Sequence, residues 1–164
     1  LRAVSRLGAR AVIVGFGPAR AALVALAGEL GCSDRVVFTG PLEHRHLAHL
    51  WPLARVSVVP SIFPEAFGMV AAEAASCGCP PLVARHSGLA EIAAGLAAEY
   101  PAAYRHLTAF DTGDLDDLTG KLGELLDLPR TRWLELSAAA RRAAEARWSW
   151  QRVAGEILAG MAAG

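Results

Sequence analysis

Three scarcities in this sequence each exclude a class of protein. Cysteine is the first: Cys32, Cys77 and Cys79 are the whole set. An odd number of thiols without metal-ligand spacing argues against a disulfide framework and against a zinc site, and Cys77 and Cys79 stand too close for a Cys-x-x-Cys redox pair. They are expected to be small buried or half-buried thiols in a reducing compartment, so a cytoplasmic location is expected. Charge of one sign is the second: 16 basic residues balance 16 acidic ones, for a formal net charge of zero. A nucleic-acid surface normally carries a basic excess, so no nucleic-acid partner is expected. Long apolar runs are the third. Arg, Glu and His break every stretch before it reaches the roughly 20 residues a bilayer requires. Neither a transmembrane segment nor a secretory leader is expected.

What remains is a globular composition. The chain is 54% hydrophobic and 20% charged, and its 164 residues suffice for one domain with a real core. It opens on Leu1, with Leu1, Val4 and Leu7 at helical spacing. Residues 1–164 are therefore expected to be a single, N-terminally truncated domain.

Short β-branched runs alternate with helical stripes. Strands are expected at residues 11–15, 36–39, 55–59 and 81–84, the first three closed by glycine, proline or serine. Helices are expected at 19–31, 43–50, 67–77 and 88–95. Residues 97–106 read as irregular and 107–111 as a short edge strand. Helices follow at 114–127 and 130–147, and Ser149 reads as the N-cap of a last one through Met161. The expected fold class is α/β: a Rossmann-like parallel sheet with helices on both faces and a C-terminal helical segment. Ligands of such sheets sit in the loops beyond the carboxyl ends of the strands. Those loops are 15–18, 40–42, 60–68 and 85–88.

Residues 60–91 carry the chemistry. Glu65 and Glu73 lie eight positions apart around a helix start. A helix start offers unpaired N–H groups that suit a phosphate. A carboxylate beside it repels phosphate but accepts hydrogen bonds from sugar hydroxyls. Pro64 forces Phe63 into an extended conformation, and Gly68 lets a ligand approach the backbone. The bland alternative is a solvated loop acid and an ordinary helix-face acid.

Several segments together resemble the donor-binding, C-terminal half of a GT-B glycosyltransferase of the retaining family 4 type. They are Val-Gly-Phe-Gly-Pro at 14–18, Val-Val-Phe-Thr-Gly at 36–40, Val-Pro-Ser at 59–61 and Pro-Glu-Ala-Phe-Gly at 64–68. Glu73 completes the family's pair of glutamates with seven residues between them, His86-Ser-Gly-Leu-Ala-Glu91 resembles its Gly-x-x-Glu loop, and Trp148-Ser-Trp150 resembles the start of its closing helix. The resemblance implies transfer of a hexosyl group from a UDP-, GDP- or ADP-linked sugar, with no metal and no cofactor. It implies that Glu65, the catalytic-site carboxylate, faces the donor sugar and positions it, and that Glu73 accepts from the ribose diol. The N–H groups of Phe67, Gly68 and Met69 would line the sugar and phosphate side. Gly15 and Gly17 would let the nucleotide pass, and Pro41 and Leu42 would lie near the base. Retaining members pass through an oxocarbenium-like state with no protein nucleophile, so charge stabilisation of the leaving diphosphate dominates. The family's first strand and its two diphosphate-binding cations have no counterpart in these residues, nor does the acceptor-binding half. A gap in the sheet is expected in place of that strand, with an N-terminal acceptor domain as partner. Arg20 and Arg85 are the nearby cations.

Other readings compete. Gly15-Phe-Gly-Pro-Ala-Arg20, with Asp34 downstream, approximates a dinucleotide fingerprint, although Arg20 occupies the third glycine position. A non-catalytic nucleotide-binding or interaction module is a further alternative. His44, His46 and His49 read as a solvated helix face rather than a metal site, and His86 as a loop histidine. Trp133, Trp148 and Trp150 are expected to pack the last helices onto the sheet.

Overall fold

Apolar β-branched residues bounded by glycine and proline become the strands. The computed structural model describes residues 1–162. Its strands are β1 (Ala11–Val14), β2 (Val36–Gly40), β3 (Ser57–Val59), β4 (Pro81–Ala84) and β5 (Ala109–Phe110). Between and after them run α1 (Arg2–Leu7), α2 (Arg20–Glu29), α3 (His44–Leu50), α4 (Met69–Ser76), α5 (Ser87–Glu99), α6 (Leu115–Asp127), α7 (Arg130–Arg147) and α8 (Trp150–Ala162). Every ladder is parallel. The alternation of strand and helix thus gives a Rossmann-like half with helices on both faces.

The strands form two sheets rather than one. β1 pairs with β2, Ala11 opposite Val36 and Ile13 opposite Phe38. β4 lies between β3 and β5, with Ser57 opposite Pro81 and Val83 opposite Ala109. Among the described residues no ladder joins β1 to β3. The expected gap falls there.

The two sheets have unequal cores. All four residues of β4 are buried, under Leu89, Ile92 and Leu96 of α5 and the alanine face of α4, with α7 packed against both helices. Burying each of those three α5 side chains contributes about 1.5–3 kcal/mol. The smaller core is Ala27, Cys32 and Val36, with Ile13 and Phe38 packed against it. On β1 and β2 the alternate residues Val12, Val14 and Val37 stay exposed.

Several boundaries differ from the sequence expectation. Gly95 does not end α5, which runs on to Glu99. A Cβ at Gly95 would lie 2.7 Å from Trp148 Cζ2, so this glycine makes room for an indole. Residues 97–106 accordingly split into the end of α5 and a 3-10 segment, Ala102–Thr108, which shortens the edge strand to Ala109–Phe110. β3 begins at Ser57, while the Arg55 carbonyl accepts the Trp133 indole N–H at 2.7 Å. α4 begins at Met69, because Gly68 (φ 93°) turns the chain in the left-handed region. Trp133 and Trp148 pack against the main core as expected, whereas Trp150 is 78% exposed. Ser149 does cap α8: its Oγ accepts from Arg152 N–H at 3.4 Å. Cys32 and Cys79 are buried and Cys77 half-buried, all as free thiols.

Candidate functional site

The loops at the carboxyl ends of the strands join into one rim. Gly15 N–H donates to Gly40 O at 2.9 Å, tying the first loop to the end of β2 beside Pro41 and Leu42. Gly15 (φ 135°) and Gly17 (φ 154°) adopt backbone angles that side chains disfavour. Nothing lies within 4 Å of where their Cβ atoms would stand, so the space above both is open. They line a cavity of about 240 Å³ with Phe16, Pro18, Arg20 and Phe38. Glu65 and Glu73 are not part of its lining.

The second loop leads to Glu73. α3 starts at His44, whose Nδ1 lies 3.4 Å from Glu73 Oε1 in the second turn of α4. His44 has a carboxylate beside it but is 86% exposed, and His46 and His49 are exposed too, the solvated helix face expected. Among the described residues no group of three or more His, Cys, Asp or Glu side chains is placed to hold a metal ion.

The third loop ends at the start of α4. No side chain caps that helix. The first helical N–H engaged within the fold is that of Ala71, which donates to Gly68 O at 3.0 Å. Those of Gly68, Met69 and Val70 are the orphan donors expected at a helix start. Phe67 anchors the loop: its ring meets Trp148 edge-on, centroids 6.4 Å apart and planes at 79°.

Glu65 is held by its backbone. Its N–H donates to Ser87 Oγ at 3.0 Å, and its carbonyl accepts from Gly88 N–H at 2.9 Å. The fourth loop thus lies directly beneath it. His86 has both ring nitrogens engaged, Nδ1 with Ser87 Oγ at 2.8 Å and Nε2 with Ser61 O at 2.7 Å. It is a structural link, not a free loop histidine. Ser87 was invisible in the sequence, since one serine before a helix glycine has no distinguishing pattern. Of the two nearby cations, Arg85 pairs with Asp111 at 3.3 Å, whereas Arg20 is exposed at the cavity lip.

The dinucleotide alternative fails on topology. Asp34 precedes β2, at the amino end of a strand whose carboxyl end carries Gly40. A ribose-binding acid must stand on the same side as the glycine loop. Asp34 instead lies 3.7 Å from Arg35 on the opposite rim.

The family model described as glycosyl transferases group 1 matches residues 1–146. The chain belongs to that family. This glycosyltransferase domain is 36% identical, over 97% of its length, to the D-inositol 3-phosphate glycosyltransferases of Mycobacterium bovis and Mycobacterium tuberculosis. It spans about a third of their length (32%). Its fold is that of one half of a GT-B enzyme. Sucrose-phosphate synthase from Thermosynechococcus elongatus superposes with a TM-score of 0.76 at 25% identity, covering 99% of this chain and 42% of that one. HepE from Anabaena in complex with UDP gives a TM-score of 0.79 at 20% identity, over 99% of this chain and 43% of that one. No described helix of the glycosyltransferase domain is long and apolar enough to cross a membrane.

Proposed function

We propose that this domain binds a nucleotide diphosphate sugar and serves as the donor half of a retaining hexosyltransferase. The observation that carries the reading is the rim: the glycine loop, the uncapped start of α4, Glu73 and the Glu65 loop follow one another along the carboxyl ends of the strands. In this reading the nucleotide passes over Gly15 and Gly17, with Pro41 and Leu42 beside the base. Glu73 accepts from the ribose diol. The N–H groups of Phe67, Gly68 and Met69 receive the diphosphate and the sugar, where the helix dipole favours negative charge. Glu65 accepts from sugar hydroxyls and fixes the anomeric carbon for attack. The chemical contribution is stabilisation of charge on the departing nucleoside diphosphate, together with positioning.

The acceptor side is proposed to come from a further domain, because the chain spans about a third of its curated relatives (32%). Two surfaces would receive it. α8 exposes Trp150, Ile157, Leu158 and Met161, and among the described residues no strand pairs with the outer edges of β1 and β3. The chain by itself is therefore proposed to recognise donor without efficient transfer.

Calorimetric titration with UDP, GDP and ADP, each with and without glucose attached, tests the reading. HepE was solved with UDP and with UDP-glucose, which makes uridine the first arm. Glu73→Ala should weaken the best-binding nucleotide by about 1.5 kcal/mol or more, the scale of a charged hydrogen bond. No binding by any nucleotide would leave a non-catalytic interaction module as the better reading.

A further inference from the structure

We propose that His86 and Ser87 form a hydrogen-bonded clamp that fixes the loop carrying Glu65, making them positioning residues for the donor sugar. The sugar half of this inference rests on the donor-binding reading above; the clamp itself does not.

With a neutral imidazole the direction of each bond in the clamp follows from elementary chemistry. A carbonyl only accepts, so His86 Nε2 carries a proton and donates to Ser61 O (2.7 Å). In the neutral ring Nδ1 is then the acceptor, and the Ser87 hydroxyl donates to it (2.8 Å). The lone pairs left on Ser87 Oγ accept the Glu65 N–H (3.0 Å). The chain of bonds leaves the 60–68 loop at Glu65, crosses the hydroxyl and the imidazole, and returns to the same loop at Ser61. It closes a staple across Ser61 to Glu65, a stretch with no regular secondary structure and with Pro64 inside it. Gly88 N–H adds a second grip, on the Glu65 carbonyl at 2.9 Å.

Backbone geometry marks the same point. Ser87 is the one non-glycine residue with positive φ (43°) among the described residues. Such a conformation persists where the surroundings over-determine it, and it clusters at functional loops. A glycine would adopt that angle more easily, so φ does not explain why a serine stands there. The hydroxyl does, since it is at once the acceptor for Glu65 and the donor to His86.

Ser87→Gly separates the two roles, because it relieves the backbone and deletes the hydroxyl. Amide hydrogen exchange on the full chain is the first measurement. Exchange at Glu65 N–H is expected to accelerate about tenfold or more, the scale of one lost hydrogen bond, with the amides of Leu82 and Val83 unchanged. The ¹⁵N shifts of His86 should report the Nε2–H tautomer in the parent chain. Unaltered exchange at Glu65, or the Nδ1–H tautomer, overturns the clamp. The second measurement compares UDP with UDP-glucose. The extra affinity conferred by the glucose should fall about fivefold in Ser87→Gly, while affinity for UDP and the thermal midpoint hold. Ser87→Ala should reproduce the loss, which assigns it to the hydroxyl rather than to backbone freedom. An equal loss for UDP and UDP-glucose overturns the sugar-positioning role. Failure of the parent chain to bind UDP, GDP or ADP overturns the donor reading and that role with it, and leaves the clamp to stand or fall on the exchange data.

Discussion

Gly88→Ala and Gly120→Ala are the same chemical change in two helices, and the structure gives them opposite signs. Both positions are helical, one at the start of α5 and one within α6. Alanine is favoured over glycine in a helix by about 1 kcal/mol. At Gly120 nothing lies within 4 Å of the new methyl group. Only the propensity acts there, and a gain of about 0.5–1 kcal/mol is expected. At Gly88 the new Cβ would stand 2.5 Å from Ala66 O and 2.6 Å from Phe67 Cα. These are backbone atoms and cannot rotate away, so residues 66 and 67 must retreat. A forced displacement of that kind costs about 1–3 kcal/mol. It also breaks the Gly88 N–H bond to Glu65 O, which removes about 1 kcal/mol more. Setting the helical gain against these losses leaves a net destabilisation of about 1–3 kcal/mol. The two variants should therefore differ by about 2–4 kcal/mol. Urea unfolding of the parent and both variants measures this, with midpoints moving in opposite directions at constant m. A Gly88→Ala chain as stable as the parent would refute the claim that the α5 start and the Glu65 loop are in direct backbone contact.

Other expectations follow from the same packing. Desolvation works against the Asp117 carboxylate, but its bonds to Lys121 Nζ (2.9 Å) and Asp111 N–H (2.8 Å), with the charges of Lys121 and Arg85, hold its pKa below the ordinary range. Stabilisation from a depressed carboxylate is complete above its unfolded pKa of about 3.9 and is lost as pH falls through the folded value. The thermal destabilisation caused by Asp117→Asn should accordingly shrink as pH drops below about 4; a pH-independent loss would dismiss the pairing. Burial, and secondarily the Cys77 thiol, push the Cys79 thiol up to about 12. A thiol reagent at pH 8 should thus modify Cys77 quickly in the native chain and reach Cys32 and Cys79 only on unfolding, and a second fast thiol would contradict the buried positions. Hydrogen exchange should release β1 and β2 before β4, because the smaller core holds the former; simultaneous exchange would mean that the two sheets unfold as one.

Much of this was legible in the sequence because its signals are local. A short apolar run rich in β-branched residues reads as a strand, and the runs expected at 11–15, 36–39 and 81–84 fall on β1, β2 and β4 to within a residue. The glycine loop and the Pro-Glu-Ala-Phe-Gly segment were legible for the same reason. What escaped depends on distant partners. Gly95 looks like a helix stop until Trp148, 53 residues on, is seen to occupy its missing side chain's space. Ser87 is an unremarked serine until Glu65, 22 residues earlier, donates to it. Trp150 has the composition of a core residue and the exposure of an interface one.

The division of the core bears on how the site would respond to ligand. Gly15, Gly17 and Gly40 belong to the lobe with the small core, while Glu65, Gly68 and Glu73 stand on the large one. The side-chain link between them at the rim is His44 with Glu73, at 3.4 Å and with His44 86% exposed. A pair so accessible to water holds little by itself. A nucleotide spanning the rim would add contacts to both lobes at once, and by linkage would stabilise the bound arrangement by about 2.7 kcal/mol at a hundred times its Kd. The benefit would fall on the β1–β2 lobe, since the β3–β5 lobe is already packed. On the proposed function, donor recognition would then be partly the ordering of the weaker sheet, and the glycine loop would be the part of the site whose geometry depends most on what is bound.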